Sequence, residues 1–170
     1  MAVSLTVASA LAQTTGVVGT NDYTINGNGS GGTSCVPLCF PNGGVTLNLA
    51  VSAPLGAIAI AFFNFCPCLP CQLPGPSNAC VPTIPATACG GSNQSFDMDL
   101  SPPCGLPFNF TLTVNTAGVY AASIPIPPLP GLPCSVVTLS TQVIIFNSCG
   151  LGTFAVPGPF ILTQAFTINF

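Results

Sequence analysis

The chain of 170 residues contains no lysine, arginine, histidine or tryptophan, and its only acidic side chains are Asp22, Asp97 and Asp99. Charged residues make up 2% of the sequence, against about 25% in ordinary globular domains. Without cations the chain cannot neutralise phosphate groups, which excludes nucleic-acid binding. Without an imidazole it lacks the base that activates a serine or cysteine nucleophile. We therefore predict that the protein is not an enzyme, and we expect no cofactor.

Long apolar runs and helical patterns are also missing. The 19 prolines and 18 glycines interrupt every apolar stretch, so we expect no transmembrane span. No segment shows the apolar stripe of an amphipathic helix, whereas period-2 alternation recurs in residues 45–51, 108–114 and 119–124. Residues 135–146 are the longest strand candidate. Short strands separated by Gly/Pro turns predict an all-β chain folded as a β-sandwich of jelly-roll or immunoglobulin-like type.

The sequence divides into three parts. Residues 35–170 hold the strand patterns and form the predicted sandwich domain. Residues 14–34 are rich in Gly and Asn, which predicts a linker. Residues 1–13 have two interpretations. Their apolar stretch ends in Ala10-Leu11-Ala12, which is typical of the remnant of a signal peptide.

The second interpretation of residues 1–13 is an N-terminal donor strand. Val3, Leu5 and Val7 alternate with Ser4 and Thr6, which is the pattern of a half-buried strand. Such a strand, tethered by a flexible linker, can complete the sheet of a neighbouring subunit.

Ten cysteines in a chain without histidine predict disulfides before metal sites and an oxidising, extracytoplasmic location. We expect at least three disulfides, concentrated in residues 66–104, with Pro-rich residues 66–95 having little regular structure. Local spacing suggests Cys35–Cys39, Cys80–Cys89 and a pair within residues 66–71, although the connectivity cannot be read from the sequence. The cysteines are Cys35, Cys39, Cys66, Cys68, Cys71, Cys80, Cys89, Cys104, Cys134 and Cys149.

Three other patterns offer weaker candidate sites. The C-x-C-x-x-C pattern that begins at Cys66 can hold zinc or an iron–sulfur cluster, but disulfides explain the same cysteines without a metal. Asp97 and Asp99 lie two residues apart on a predicted strand and are weak calcium candidates. The main expectation for both is a solvated strand face. N-x-[ST] patterns place candidate glycosylation at Asn28, Asn93 and Asn109.

Several stretches carry a resemblance to a known kind of domain. They are S-A-P-L-G-A-I-A-I-A-F-F at 52–63, V-N-T-A-G-V-Y-A-A-S-I-P-I-P-P-L-P-G-L-P at 114–133, S-V-V-T-L-S-T-Q-V-I-I-F-N at 135–147 and I-L-T-Q-A-F-T-I-N-F at 161–170. Residues 43–170 thus resemble the C-terminal β-rich domain of planctomycete-type large secreted or cell-surface proteins. The resemblance implies an extracytoplasmic β-sandwich and supplies no catalytic residues.

An uncharged surface has little electrostatic repulsion to keep copies of the chain apart. We therefore predict a secreted or cell-surface structural subunit whose partner is itself, assembled into a filament, pilus or surface layer by strand exchange. The candidate assembly strands hold Val3, Leu5 and Val7 at one end of the chain and Phe166, Ile168 and Phe170 at the other. The alternative is a secreted adhesin or glycan-binding module whose partner is a polysaccharide.

Overall fold

The computed structural model describes residues 23–29, 35–53, 55–68, 81–84, 94–98, 104, 108–114, 118–129, 131, 133–134, 136–146 and 160–170. Within these ranges the chain contains strands and turns and no helix, so it also contains no helix able to cross a membrane. The predicted all-β class is confirmed. The strands are β1 (Thr24–Ile25), β2 (Asn28–Gly29), β3 (Val36–Cys39), β4 (Thr46–Ser52), β5 (Ile58–Asn64), β6 (Val81–Ile84), β7 (Gln94–Phe96), β8 (Phe108–Thr111), β9 (Thr113–Val114), β10 (Val119–Pro125), β11 (Thr138–Phe146) and β12 (Phe160–Asn169).

Ten of these strands form two five-stranded sheets. Sheet I has the order β2-β1-β4-β10-β9, and sheet II has the order β3-β12-β11-β5-β8. The pairings are antiparallel, except that β3 runs parallel to β12. Strands β6 and β7 form a separate two-stranded ribbon.

The core lies between sheets I and II, and alternation along each strand explains which side chains enter it. In β4 the apolar residues Leu47, Leu49 and Val51 are buried, whereas Thr46 and Asn48 are exposed. Two contacts cross the gap between the sheets. The ring of Tyr23 packs edge-on against Phe166 with centroids 5.4 Å apart, and its hydroxyl lies 3.0 Å from Thr141 Oγ1. The predicted β-sandwich is therefore confirmed.

One strand passes from one sheet to the other. Residues 108–111 pair with β5 in sheet II, and residues 113–114 pair with β10 in sheet I. Leu112, between them, is buried in the core, and its N–H donates to Ala59 O. The predicted single strand at 108–114 therefore bends at Leu112, and it closes one side of the sandwich.

Three expectations about the strands need correction. Residues 81–84 form β6, although residues 66–95 were expected to have little regular structure. Asp97 does not lie in a strand as expected, since β7 ends at Phe96 and Asp97 follows it. The strand β3 at Val36–Cys39 was not predicted, because Pro37 argues against a strand unless the strand lies at an edge.

Candidate functional site

Three disulfides lie within the described residues and tie the sandwich together. They join Cys35 to Cys68, Cys39 to Cys134 and Cys66 to Cys104, with Cα atoms 5.3, 5.5 and 5.5 Å apart. These distances are ordinary for disulfides. The bridges close segments of 33, 95 and 38 residues, and by the loop-entropy argument each one stabilises the fold by about 3–5 kcal/mol. Several disulfides indicate an oxidising compartment.

The pairing differs from two of the local pairs that the spacing suggested, and the third, Cys80–Cys89, lies outside the described residues. Cys35 and Cys39 do not bond to each other, because they lie on opposite ends of β3 and reach different neighbours. Cys66 and Cys68 likewise bond to Cys104 and Cys35 rather than within their own segment. Of the three bridges within the described residues, the one between Cys66 and Cys104 lies inside residues 66–104, and the expected concentration there stays a prediction. The other predicted cysteines, Cys71, Cys80, Cys89 and Cys149, lie outside the described residues.

The disulfides also bear on the metal interpretation of C-x-C-x-x-C. Cys66 and Cys68 are disulfide-bonded and supply no thiolate for a metal ion. In the described ranges no three His, Cys, Asp or Glu side chains cluster closely enough to hold a metal ion.

Asp97 occupies a different environment from the one predicted. Asp97 is only 1% exposed, so it does not lie on a solvated strand face. Its backbone N–H donates to Gln142 Oε1 at 3.0 Å, and Gln142 Nε2 donates to Thr163 O at 2.8 Å. Asp97 is thereby held against sheet II. Asp99, the other weak calcium candidate, lies outside the described residues.

The outer face of sheet II is polar and covered. Thr141 points into the core, so its neighbours Ser140 and Gln142 point to the opposite face, and both are fully buried. The segment around Cys68 lies over this face, since its N–H donates to Thr167 Oγ1 at 3.2 Å. Strand β7 also lies against β12. The described segments around Cys68 and Asp97 therefore form a third, covering layer on this face, which the sequence did not predict.

A bulge interrupts the pairing of β11 with β12 beneath this layer. The register shifts between Gln142 and Ile144, opposite Thr163 and Gln164. The Thr163 hydroxyl accepts the hydrogen bond of the Val143 N–H at 3.1 Å and donates to Gln164 O at 2.9 Å. A side chain thus replaces the ladder partner that the bulge removes.

The C-terminal candidate strand is not available as an edge. Strand β12 has β3 on one side and β11 on the other. Phe166, Ile168 and Phe170 are buried in the core between the sheets. Their large apolar side chains complete the sandwich of their own chain, so the expectation that they form an exposed assembly edge is corrected. Val3, Leu5 and Val7 lie outside the described residues.

The edges of sheet II are β3 and β8, and two of the four large apolar side chains that are exposed in the described residues lie near β8. Phe65 is 68% exposed and Phe108 is 38% exposed, with their ring centroids 5.5 Å apart. Phe108 also stacks on the buried ring of Phe63 at 5.5 Å. A continuous aromatic row therefore runs from the core to the surface at this edge, a feature that the sequence did not predict.

The candidate glycosylation residues are placed differently from one another. Asn109 is exposed on β8. Asn28 is exposed in β2, and its Nδ2 donates to Ile25 O at 3.2 Å. Asn93 lies outside the described residues.

Comparison with known proteins adds nothing to this geometry: no family model, curated protein or solved structure matches the chain. The resemblance of residues 43–170 to a planctomycete-type domain stays a prediction.

Proposed function

We propose that the protein is a secreted, extracellular structural subunit that assembles with copies of itself into a filament, pilus or surface layer. The observation that carries this proposal is the absence of ionised side chains from the described surface. The chain has no Lys, Arg or His, and the acidic residue within the described ranges, Asp97, is 1% exposed. Like-charge repulsion, which keeps soluble monomers apart, is therefore missing from this surface.

The construction of the fold supports a role outside the cell. Disulfides replace the salt bridges that a chain without cations cannot form, and they persist only under oxidising conditions. A chain without Lys or Arg also offers no cleavage site to trypsin-like proteases. Both properties suit a protein that remains in place after it has been exported.

Electron microscopy of the native protein by negative stain, together with sedimentation velocity, tests the proposal. We expect regular polymers whose mass distribution changes little between low salt and about 1 M NaCl, because screening has no charge pairs to weaken. A monomer that stays dispersed at all protein concentrations and both salt levels contradicts the proposal.

A second function is favoured by one observation, the exposed aromatic pair of Phe65 and Phe108. Exposed rings can stack on sugars, so we retain an adhesin or glycan-binding module as the alternative. A dispersed monomer that is retained on a polysaccharide column, and whose retention is lost in Phe65→Ala, is the result that favours this alternative over self-assembly.

A further inference from the structure

We propose that β8 pairs, edge to edge and antiparallel, with β8 of a second copy of the chain. The inference deepens the proposed self-assembly and rests on it, because it names the surface through which two subunits meet. It follows from a difference between the two edges of sheet II, from the position of the free backbone groups on β8, and from the symmetry of the side chains beside them.

The edge at β3 is blocked. The Phe40 N–H donates to Asn169 O at 2.9 Å, and alternate residues of a strand direct their N–H groups to opposite sides. Pro37, three residues earlier, therefore lies where an N–H would face the free side, and it has none to offer. Cys39, also on the free side, is tied to Cys134 by a disulfide. Proline at such a position is a common protection against edge pairing.

The edge at β8 has no such protection. The Leu112 N–H donates to Ala59 O at 2.9 Å, toward β5, so the backbone groups of Thr111 and Asn109 face the free side. Both of these residues are exposed. Residues 108–114 contain no proline, no glycine and no charged residue. Among the strands that the structure describes, β8 pairs only with β5.

The edges of sheet I are poorer candidates. Strand β2 is two residues long and ends a tight hairpin, so it offers little backbone to a neighbour. Strand β9 is also two residues long and continues β8 around the bend at Leu112. Residues 108–112 are therefore the longest unprotected edge within the described ranges.

The occupant that fits this edge is a second copy of the same strand. A twofold axis at the backbone of Phe110 places Asn109 of each copy opposite Thr111 of the other copy. These two positions carry the free N–H and C=O groups, so each pair exchanges both backbone hydrogen bonds. An amide then lies beside a hydroxyl on the outer face, where the two side chains can bond to each other.

The inner face is self-complementary as well. The same axis places Phe108 opposite Leu112 of the second copy. Leu112 stays buried in its own core, so the partly exposed ring of Phe108 meets an uncharged strand edge rather than a second exposed side chain. No like charges meet at the contact, because neither copy carries a charged residue in this strand. The self-complementary patch has the form of an isologous interface, and it joins two copies of sheet II into one continuous sheet.

The test compares Thr111→Pro with Thr111→Val in the full chain. Proline removes the N–H on the free side and no hydrogen bond to β5, whereas valine keeps that N–H. We expect Thr111→Pro to weaken the association constant from sedimentation equilibrium at least tenfold, and Thr111→Val to change it less than twofold. Circular dichroism and the mass of the three disulfide-linked peptides confirm that each variant is folded.

A second pair of variants decides the matter if Thr111→Pro does not fold. Asn109→Lys places a charge at the proposed contact, whereas Thr46→Lys places the same charge on an exposed position of β4. We expect Asn109→Lys, and not Thr46→Lys, to reduce association and to make it depend on salt. Equal association in wild type and Asn109→Lys overturns the inference.

The remaining outcomes separate this inference from the function on which it rests. If wild type assembles and both β8 variants assemble equally well, the assignment of the edge is wrong and the structural role stands. If wild type never associates, both the pairing of β8 and the proposed structural role are wrong. Loss of association in Leu5→Lys means that residues 1–13 of a neighbour occupy the edge, which also overturns pairing of β8 with itself. Unchanged association in Leu5→Lys supports it.

Discussion

The side-chain carbonyl of Gln142 accepts the backbone N–H of Asp97 at 3.0 Å, although the two residues lie 45 positions apart. The amide nitrogen of the same side chain donates to Thr163 O at 2.8 Å. A single buried glutamine thus joins the covering layer to two strands of sheet II. In a chain without salt bridges, uncharged groups of this kind take over the task of fixing one part of the fold against another.

Replacing Gln142 by leucine tests this connection. The substitution leaves the Asp97 N–H and the Thr163 carbonyl buried without their partner, which costs about 1–3 kcal/mol for each group. We expect the free energy of unfolding in urea to fall by about 2–6 kcal/mol and the Asp97 amide to exchange faster with solvent. The control is Ser123→Ala, which removes an exposed hydrogen bond to Asn48 Oδ1 and is expected to change stability by less than about 0.5 kcal/mol. Unchanged exchange at Asp97 contradicts the role of Gln142.

Among the three described disulfides, the one between Cys39 and Cys134 closes the longest segment, 95 residues. Replacing both cysteines by serine is expected to lower the free energy of unfolding by about 2–5 kcal/mol, since the unfolded chain gains conformational freedom. The matched control replaces Cys66 and Cys104, whose bridge closes 38 residues, and should cost somewhat less. Guanidinium unfolding measures both differences. A double variant as stable as wild type contradicts the expectation.

Alternation predicted most of the sandwich strands from the sequence. β4, β10, β11 and β12 lie close to their expected positions because each buries one face against the core, and burial selects apolar residues with period 2. The hairpin of β1 and β2 lies within residues 14–34, which were expected to form a linker, although the Asn26-Gly27 pair at its turn is a recognised hairpin signal. Both turn residues have positive φ, 51° and 76°.

The covering layer and the disulfides could not be predicted in the same way. In most proteins a solvated strand face is marked by charged residues, but this chain has almost none, so Ser140 and Gln142 gave no sign that their face is covered. The disulfides depend on pairings between distant segments. Cys39 reaches Cys134 because β3 lies parallel to β12 at the edge of sheet II, and a parallel pairing of segments so far apart leaves no local pattern in the sequence.

Gly43 occupies a position that no other residue can take without displacement of the backbone. Its φ is +57°, and a Cβ atom would lie 2.6 Å from Pro127 O. Gly27 also has positive φ, +76°, but no atom lies within 4 Å of the position that a Cβ atom on Gly27 would take. We expect Gly27→Ala to cost about 1–2 kcal/mol for the left-handed conformation alone. Gly43→Ala should cost a further 1–3 kcal/mol or so, because the loop must also move away. Equal losses of stability in the two variants contradict the close contact.

Alkaline pH is expected to destabilise the fold through its tyrosines. Burial raises the pKa of Tyr23 well above its usual value, and the hydrogen bond with Thr141 offsets this only in part. Burial also raises the pKa of Tyr120, which is opposed by hydrogen bonds with the backbone of Ala57 and Gly56. The folded state therefore holds these protons more tightly than the unfolded state does. The stabilisation is complete below the unfolded pKa of about 10 and is lost as the pH rises above it.

Tyr23→Phe separates this effect from other causes of alkaline unfolding. Phenylalanine has no proton to lose, so the variant should show a smaller decline in the free energy of unfolding between pH 9 and pH 11 or so than wild type. At neutral pH the same variant should be less stable by about 1–3 kcal/mol, because the Thr141 hydroxyl stays buried without its partner. Neither His nor Lys can contribute to the decline, since the chain has none.

Urea unfolding at each pH, with tyrosinate absorbance recorded in parallel, measures both quantities. In wild type the absorbance should rise together with loss of the strand signal in circular dichroism; ionisation of both tyrosines near pH 10 in a protein that remains folded contradicts the burial of Tyr23.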